Sequence, residues 1–109
     1  MQRMGHVLGL KPEHIDEYKR IHAEVWPGVL ARISQCHIHN YTIFLREPEN
    51  LLFAYWEYHG ADFAGDTAMM AADPVTQDWW KICMPMQAPL ETRKDEEWWV
   101  PMEEVFHHD

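Results

Sequence analysis

Tyr18, His22 and Trp26 stand four residues apart in EYKRIHAEVWP, and Pro27 follows at once. Residues i and i+4 share a face of an α-helix, so a phenol and an imidazole would lie one turn apart on a single stripe. Ile15, Val25, Val29 and Ile33 extend that stripe, which makes it the inward face of an amphipathic segment. Two proton-handling groups therefore point where Leu would be expected. Two readings follow. Either both rings fill the core and find hydrogen-bond partners, as Tyr and His of intermediate burial commonly do, or they form a small acid–base site. Histidine gives and takes protons near neutral pH, and a positioned acid–base group contributes about 10²–10⁴-fold to a rate.

Other side chains could join such a site. Strict alternation along residues 38–45 puts His39, Tyr41, Ile43 and Leu45 on one face of a strand, and Ile38, Asn40, Thr42 and Phe44 on the other. Tyr41 is then a second phenol in the middle of a sheet. Trp79 and Trp80 are adjacent on a helix and diverge by about 100°, so both cannot be buried in one groove. A pair of indoles at a helix rim suits the C–H face of a sugar; filling the core is the alternative. Cys36, His37 and His39 look like metal ligands in a row, supplemented only by His107 and His108. His37 and His39 are two apart on a strand, however, and no second ligand cluster has recognisable spacing, so a metal site is the weaker reading.

These groups must be positioned by regular elements. Met4 to Leu10 reads as a strand. Pro12 suits the first position of a helix, and Glu13, Asp16 and Glu17 favour its positive end, which predicts a helix to about Glu24. Trp26 precedes a proline and is biased away from helical angles, so a kink there should separate a second helix, Pro27 to Gln35. His37–Arg46 and Leu51–Tyr58 predict an antiparallel hairpin across the turn Glu47-Pro48-Glu49-Asn50. Gly60 to Ala72 reads as a helix, and Asp73-Pro74 caps and opens another that ends at Pro85. Residues 87–97 read as a loop, and Trp99 to His107 as a last strand.

The order strand, helix, strand, strand, helices, strand predicts an α+β, ferredoxin-like fold: a four-stranded antiparallel sheet with helices on one face. Phe53 and Tyr55 alternate with Ala54 and Trp56, and Ile43 and Leu45 with Thr42 and Phe44. The strands thus carry large apolar residues on both faces, where a monomer would expose a polar one. A second subunit about a two-fold axis is the simplest cover.

The chain of 109 residues should form one domain spanning 1–109. A formal charge of −9 argues against nucleic acid as a partner, because phosphate binding is dominated by Lys and Arg. Cys36 and Cys83 lie in apolar surroundings and read as free, buried thiols of a reducing compartment. No apolar run approaches a membrane span. The start, MQRMGHVLGL, lacks a secretion-type cleavage pattern. The expected location is the cytoplasm, with no membrane partner.

Glu17-Tyr18 with His22 and Trp26-Pro27, then His39-Asn40-Tyr41, Asn50-Leu51-Leu52-Phe53-Ala54, Trp79-Trp80-Lys81 and Glu104-Val105-Phe106, occur in an order and spacing that resembles the L-rhamnose mutarotase family. The likeness runs from residue 4 to about 107. It implies a ferredoxin-like subunit of the dimeric α/β-barrel type, a homodimer, a monosaccharide substrate, and catalysis without metal or cofactor. Carried over by residue, it implies that His22 is the acid–base residue and that Tyr18, Tyr41, Trp79 and Trp80 contact the sugar. The departures, in the 87–97 loop and the His107-His108 tail, bear on which sugar is taken, and a related deoxysugar such as L-fucose is the alternative. Two other classes stay open. One is a cofactor-free monooxygenase on the same dimeric fold, with an aromatic substrate in an apolar pocket. The other is an interaction module, if Tyr18 and His22 prove fully packed.

Overall fold

In the computed structural model, which describes residues 1–109, β1 (Gln2–Leu10) runs through the middle of an antiparallel sheet. One edge of β1 pairs with β3 (Leu51–Tyr58), which pairs in turn with β2 (Ile38–Arg46). Two short strands, β4 (Gln87–Ala88) and β5 (Val100–Met102), share the other edge. The first strand therefore lies between the third and the last ones, as the ferredoxin-like reading requires. Four helices, α1 (Ile15–His22), α2 (Pro27–Gln35), α3 (Phe63–Ala72) and α4 (Pro74–Cys83), fill the two crossovers. Leu10 and Leu52 of the sheet meet Tyr18, Val29, Trp79 and Cys83 of the helices in the main core, and Cys36, Ile38 and Tyr58 form a second cluster.

Local chemistry sets the helix ends. Pro12–His14 forms a 3₁₀ turn before α1, and α1 stops at His22, two residues short of expectation. Trp26 takes the extended angles that Pro27 imposes, φ −57° and ψ 134°, and α2 follows over the predicted residues. Helix α3 starts at Phe63 rather than Gly60, because Asp62 caps it by accepting the Gly65 N–H. Asp73 caps α4 as predicted: one carboxylate oxygen accepts from the Thr76 N–H and hydroxyl at 2.9 and 2.8 Å, and the other pairs with Arg32 at 3.1 Å.

The hairpin departs from simple alternation. Leu45 opposes Leu52, Ile43 opposes Ala54 and Thr42 opposes Tyr55, but the register shifts between His39 and Thr42. Asn40 has φ 53° there, and its side-chain N–H₂ donates to Glu57 at 2.9 Å. This bulge shifts the alternation of the strand by one. Tyr41 joins Ile43 and Leu45 on the helix side, whereas His39 opposes Glu57 on the far side. The expectations that His39 shares a face with Tyr41, and Ile38 with Thr42 and Phe44, are thus corrected: Ile38 is buried against Tyr58 on the helix side.

The stretch read as a loop contains β4. A Cβ at Gly9 would lie 2.2 Å from the Ala88 carbonyl oxygen, so the glycine is what lets β4 approach β1, and the neighbouring pair sets Gln87 against Leu10. The last strand is far shorter than Trp99–His107. Pro101 offers no N–H to the ladder, and beyond Met102 the chain leaves the sheet, with Val105 and Phe106 88% and 81% exposed. On the face away from the helices, Phe44 opposes Phe53, Phe53 opposes Val7, and Val7 opposes Val100. An apolar band therefore crosses the whole sheet.

Candidate active site

Tyr18 and His22 occupy successive turns of α1, and their rings stack with centroids 4.0 Å apart and planes 24° from parallel. Tyr18 is buried and His22 half-buried. His22 Nδ1 lies 2.8 Å from the backbone carbonyl oxygen of Tyr18. A carbonyl can only accept, so Nδ1 carries the proton, and in the neutral ring Nε2 keeps its lone pair. Burial pushes the imidazole pKa below its ordinary value, against a smaller opposing effect of the bond to Tyr18. The ring is therefore neutral at pH 7, with Nε2 free to accept. Burial raises the Tyr18 pKa strongly and the contact with Gln87 lowers it only in part, so the phenol holds its proton.

Both rings open on a cavity of 320 Å³, a size at the lower end for small-molecule sites. All five residues singled out in the sequence line it: Tyr18, His22, Tyr41, Trp79 and Trp80. The bulge in β2 delivers Tyr41. The two indoles behave differently. Trp79 is 7% exposed, belongs to the core, and meets His22 and Trp26 edge-on at 5.3 and 5.2 Å; Trp80 is 37% exposed. The divergence expected of neighbours on a helix thus puts one indole in the floor and the other at the rim of the same cavity. A second hollow of 400 Å³ shares Tyr41, Trp79, Trp80, Gln87 and Trp99 and runs on towards Met70, Thr76 and Met84.

Residues beyond α4 complete the walls: Gln87, from the stretch expected to be a loop, with Trp98 and Trp99 at the start expected for the last strand. Gln87 is buried, donates to the Tyr18 hydroxyl oxygen at 3.1 Å, and accepts from the Trp98 indole N–H at 2.7 Å. Sequence reasoning missed Gln87, Trp98 and Trp99. The one available signal was the pair of adjacent tryptophans after a charged run, a costly thing to leave in solvent. Cys83 also faces the cavity, but burial pushes its thiol up to about 11, so it stays protonated.

No Asp, Glu, Lys or Arg lines either hollow. A charged ligand would find no partner there, whereas an uncharged one with hydroxyls and an apolar face would meet hydroxyls, an imidazole, an amide and indoles. The residues considered as metal ligands diverge. Cys36 is buried beside Ile38 and Tyr58, His37 bonds Asp66 at 3.0 Å, and His39 packs edge-on to His59 with centroids 4.9 Å apart.

Comparison with known proteins fits this geometry. A family profile described as L-rhamnose mutarotase matches residues 3–108. A protein of Oceanobacillus iheyensis named L-rhamnose mutarotase is 34% identical over the full length of both chains. One of the same name from Mesorhizobium japonicum is 36% identical over 92% of this chain and 90% of its own. The crystal structure of an L-rhamnose mutarotase from Formosa agariphila superposes with a TM-score of 0.80, covering all of both chains at 22% identity, a likeness of fold.

Proposed function

The chain belongs to the L-rhamnose mutarotase family, and from that premise we propose that it is an isomerase that interconverts the α and β anomers of L-rhamnose by opening and closing the pyranose ring at the Tyr18–His22 pair. The observation that carries the reading is the His22 ring, neutral and held in one tautomer, on the wall of an uncharged cavity of monosaccharide scale.

The proton steps balance within the sugar and one imidazole. His22 Nε2 takes the proton from the anomeric hydroxyl as the bond between C1 and the ring oxygen breaks, leaving an aldehyde. Both oxygens are bonded to the same carbon, so the imidazolium can return that proton to the ring oxygen. After rotation about C1–C2 the steps reverse and the ring closes on the other carbonyl face. Tyr18 keeps its proton and donates a hydrogen bond to the oxygen on which charge develops, which is what its raised pKa suits. Tyr41 offers a second hydroxyl contact, and Trp79 and Trp80 offer apolar faces to the C–H side of the sugar.

The homodimer belongs to the same proposal. The band Phe44–Phe53–Val7–Val100 supports it, since Phe44 is 63% exposed on a face no helix covers. Cytoplasmic location is supported by two free, buried cysteines; no helix is long and apolar enough to cross a membrane. The test is saturation-transfer NMR of anomer exchange over a panel of deoxysugars. Exchange should be accelerated for L-rhamnose above its epimers; no acceleration of any sugar would overturn the reading.

A further inference from the structure

We propose that Gln87 is a positioning residue for Tyr18: with its amide held by Trp98, it donates to the phenol oxygen and thereby leaves the phenol's only proton for a ligand in the cavity. The inference rests on the mutarotase reading and extends it to a residue outside the Tyr18–His22 pair.

The polarity of the chain follows from the chemistry of its ends. An indole N–H only donates. The Gln87 group 2.7 Å from Trp98 Nε1 must therefore be the carbonyl oxygen, and the group 3.1 Å from the Tyr18 oxygen must be the N–H₂. The usual ambiguity in the orientation of an amide is absent here. Tyr18 is then the acceptor in its bond with Gln87, and its single O–H proton is not used by it. A buried hydroxyl that lines a cavity can place that proton on a ligand oxygen. Gln87 is itself 6% exposed, and burying an amide is costly unless both ends are bonded. Both are. The backbone fixes it further, because Gln87 pairs with Leu10 where Gly9 admits the Ala88 carbonyl. The donor set is thus assembled before any sugar arrives, the kind of arrangement that stabilises developing charge without reorganisation.

Two substitutions separate positioning from packing. Gln87→Met keeps volume and removes the donor, and kcat for anomer exchange should fall about tenfold, the scale of one hydrogen bond. Gln87→Glu keeps shape and reverses polarity. Its carboxylate accepts from Trp98 and from Tyr18, drawing the phenol proton away from the sugar, and kcat at mildly alkaline pH should fall by about a hundredfold. On acidification the carboxyl regains a proton and donates again, so the activity of Gln87→Glu relative to the intact protein should rise. A carboxylate at this position raises the pKa of His22, whose ring stacks on Tyr18, so the His22 titration is followed in each protein by NMR of the imidazole and divided out before the ratio is taken; the other titratable groups facing the cavity, Tyr18, Tyr41 and Cys83, all have raised pKa values and stay protonated throughout. In a Tyr18→Phe background, neither substitution should cost anything more.

The hydrogen-bond chain is also read without turnover, from the Trp98 indole proton in two-dimensional NMR. Gln87→Met should shift it and speed its exchange with water. The proposal is overturned if Gln87→Met and Gln87→Glu lose activity equally at every pH, if their losses persist in Tyr18→Phe, or if the indole proton is indifferent to Gln87→Met. Failure of the mutarotase reading looks different: the intact protein would not accelerate exchange, while the indole proton would still respond.

Discussion

His22 Nδ1 lies 2.8 Å from the backbone carbonyl oxygen of Tyr18, so the residue that stacks a phenol on the imidazole also decides which imidazole nitrogen carries the proton. The i, i+4 spacing of α1 makes both relationships at once. One turn of helix supplies a neutral acceptor, Nε2, and a donor that does not ionise.

This arrangement fixes the pH dependence. Burial lowers the His22 pKa from 6.5, so the acceptor form persists to pH values at which an exposed histidine is charged. Anomer exchange should be level above neutrality and fall on the acid side, with a midpoint below 6.5. Stability moves the same way. Below 6.5 the unfolded chain takes up a proton before the folded one does, so the contribution of neutral His22 is whole above 6.5 and declines as pH falls. His6, half-buried and lowered for the same reason, adds to the decline. Exchange rates across pH, with urea midpoints at about pH 5 and pH 8, check both. An acid limb centred at or above 6.5 would contradict the assignment.

The two indoles should respond differently. Trp79 packs in the core against Trp26 and His22, so Trp79→Ala should destabilise the fold by about 3–5 kcal/mol as well as damaging the cavity. Trp80 is partly exposed at the rim, so Trp80→Ala should leave the urea midpoint nearly unchanged and weaken sugar binding. Equal loss of stability in the two variants would mean that Trp80 is a packing residue.

Much of this was legible in the sequence, and the reasons are physical. The Tyr18–His22 face follows from helical periodicity, the break at Trp26 from the steric demand of Pro27, and the start of α4 from the cap at Asp73. Each is a local rule acting within a few residues. What escaped depends on contacts distant in sequence. Strand β4 is two residues long, too short for alternation to register, and exists because Gly9, 79 positions from Ala88, leaves room for it. Gln87 is hidden with it, and Trp98 and Trp99 reach the cavity through contacts that no local pattern announces. The bulge at Asn40 inverted the face of His39 because a single left-handed residue shifts a period-two pattern by one. The last strand ends short of what the apolar Val105 and Phe106 suggest, because within this chain both stand exposed with no neighbour to pair with.

The apolar band predicts assembly. Light scattering at low micromolar concentration should report a dimer, and Phe44→Glu, which puts a charge in the middle of the band, should shift the protein towards monomer without disturbing the helix-side core. A native protein that runs as a fully active monomer would mean that this face is not an interface.

The catalytic role of His22 is tested by the anomer exchange rate of L-rhamnose, read by saturation-transfer NMR for the intact protein and for His22→Ala at equal concentration of folded protein. The intact protein should accelerate exchange well above the rate in water, and His22→Ala, still folded by circular dichroism, should lose most of that acceleration, by about 10²-fold or more. Near-wild-type exchange by folded His22→Ala would contradict that role, leaving His22 as a residue that only packs against Tyr18.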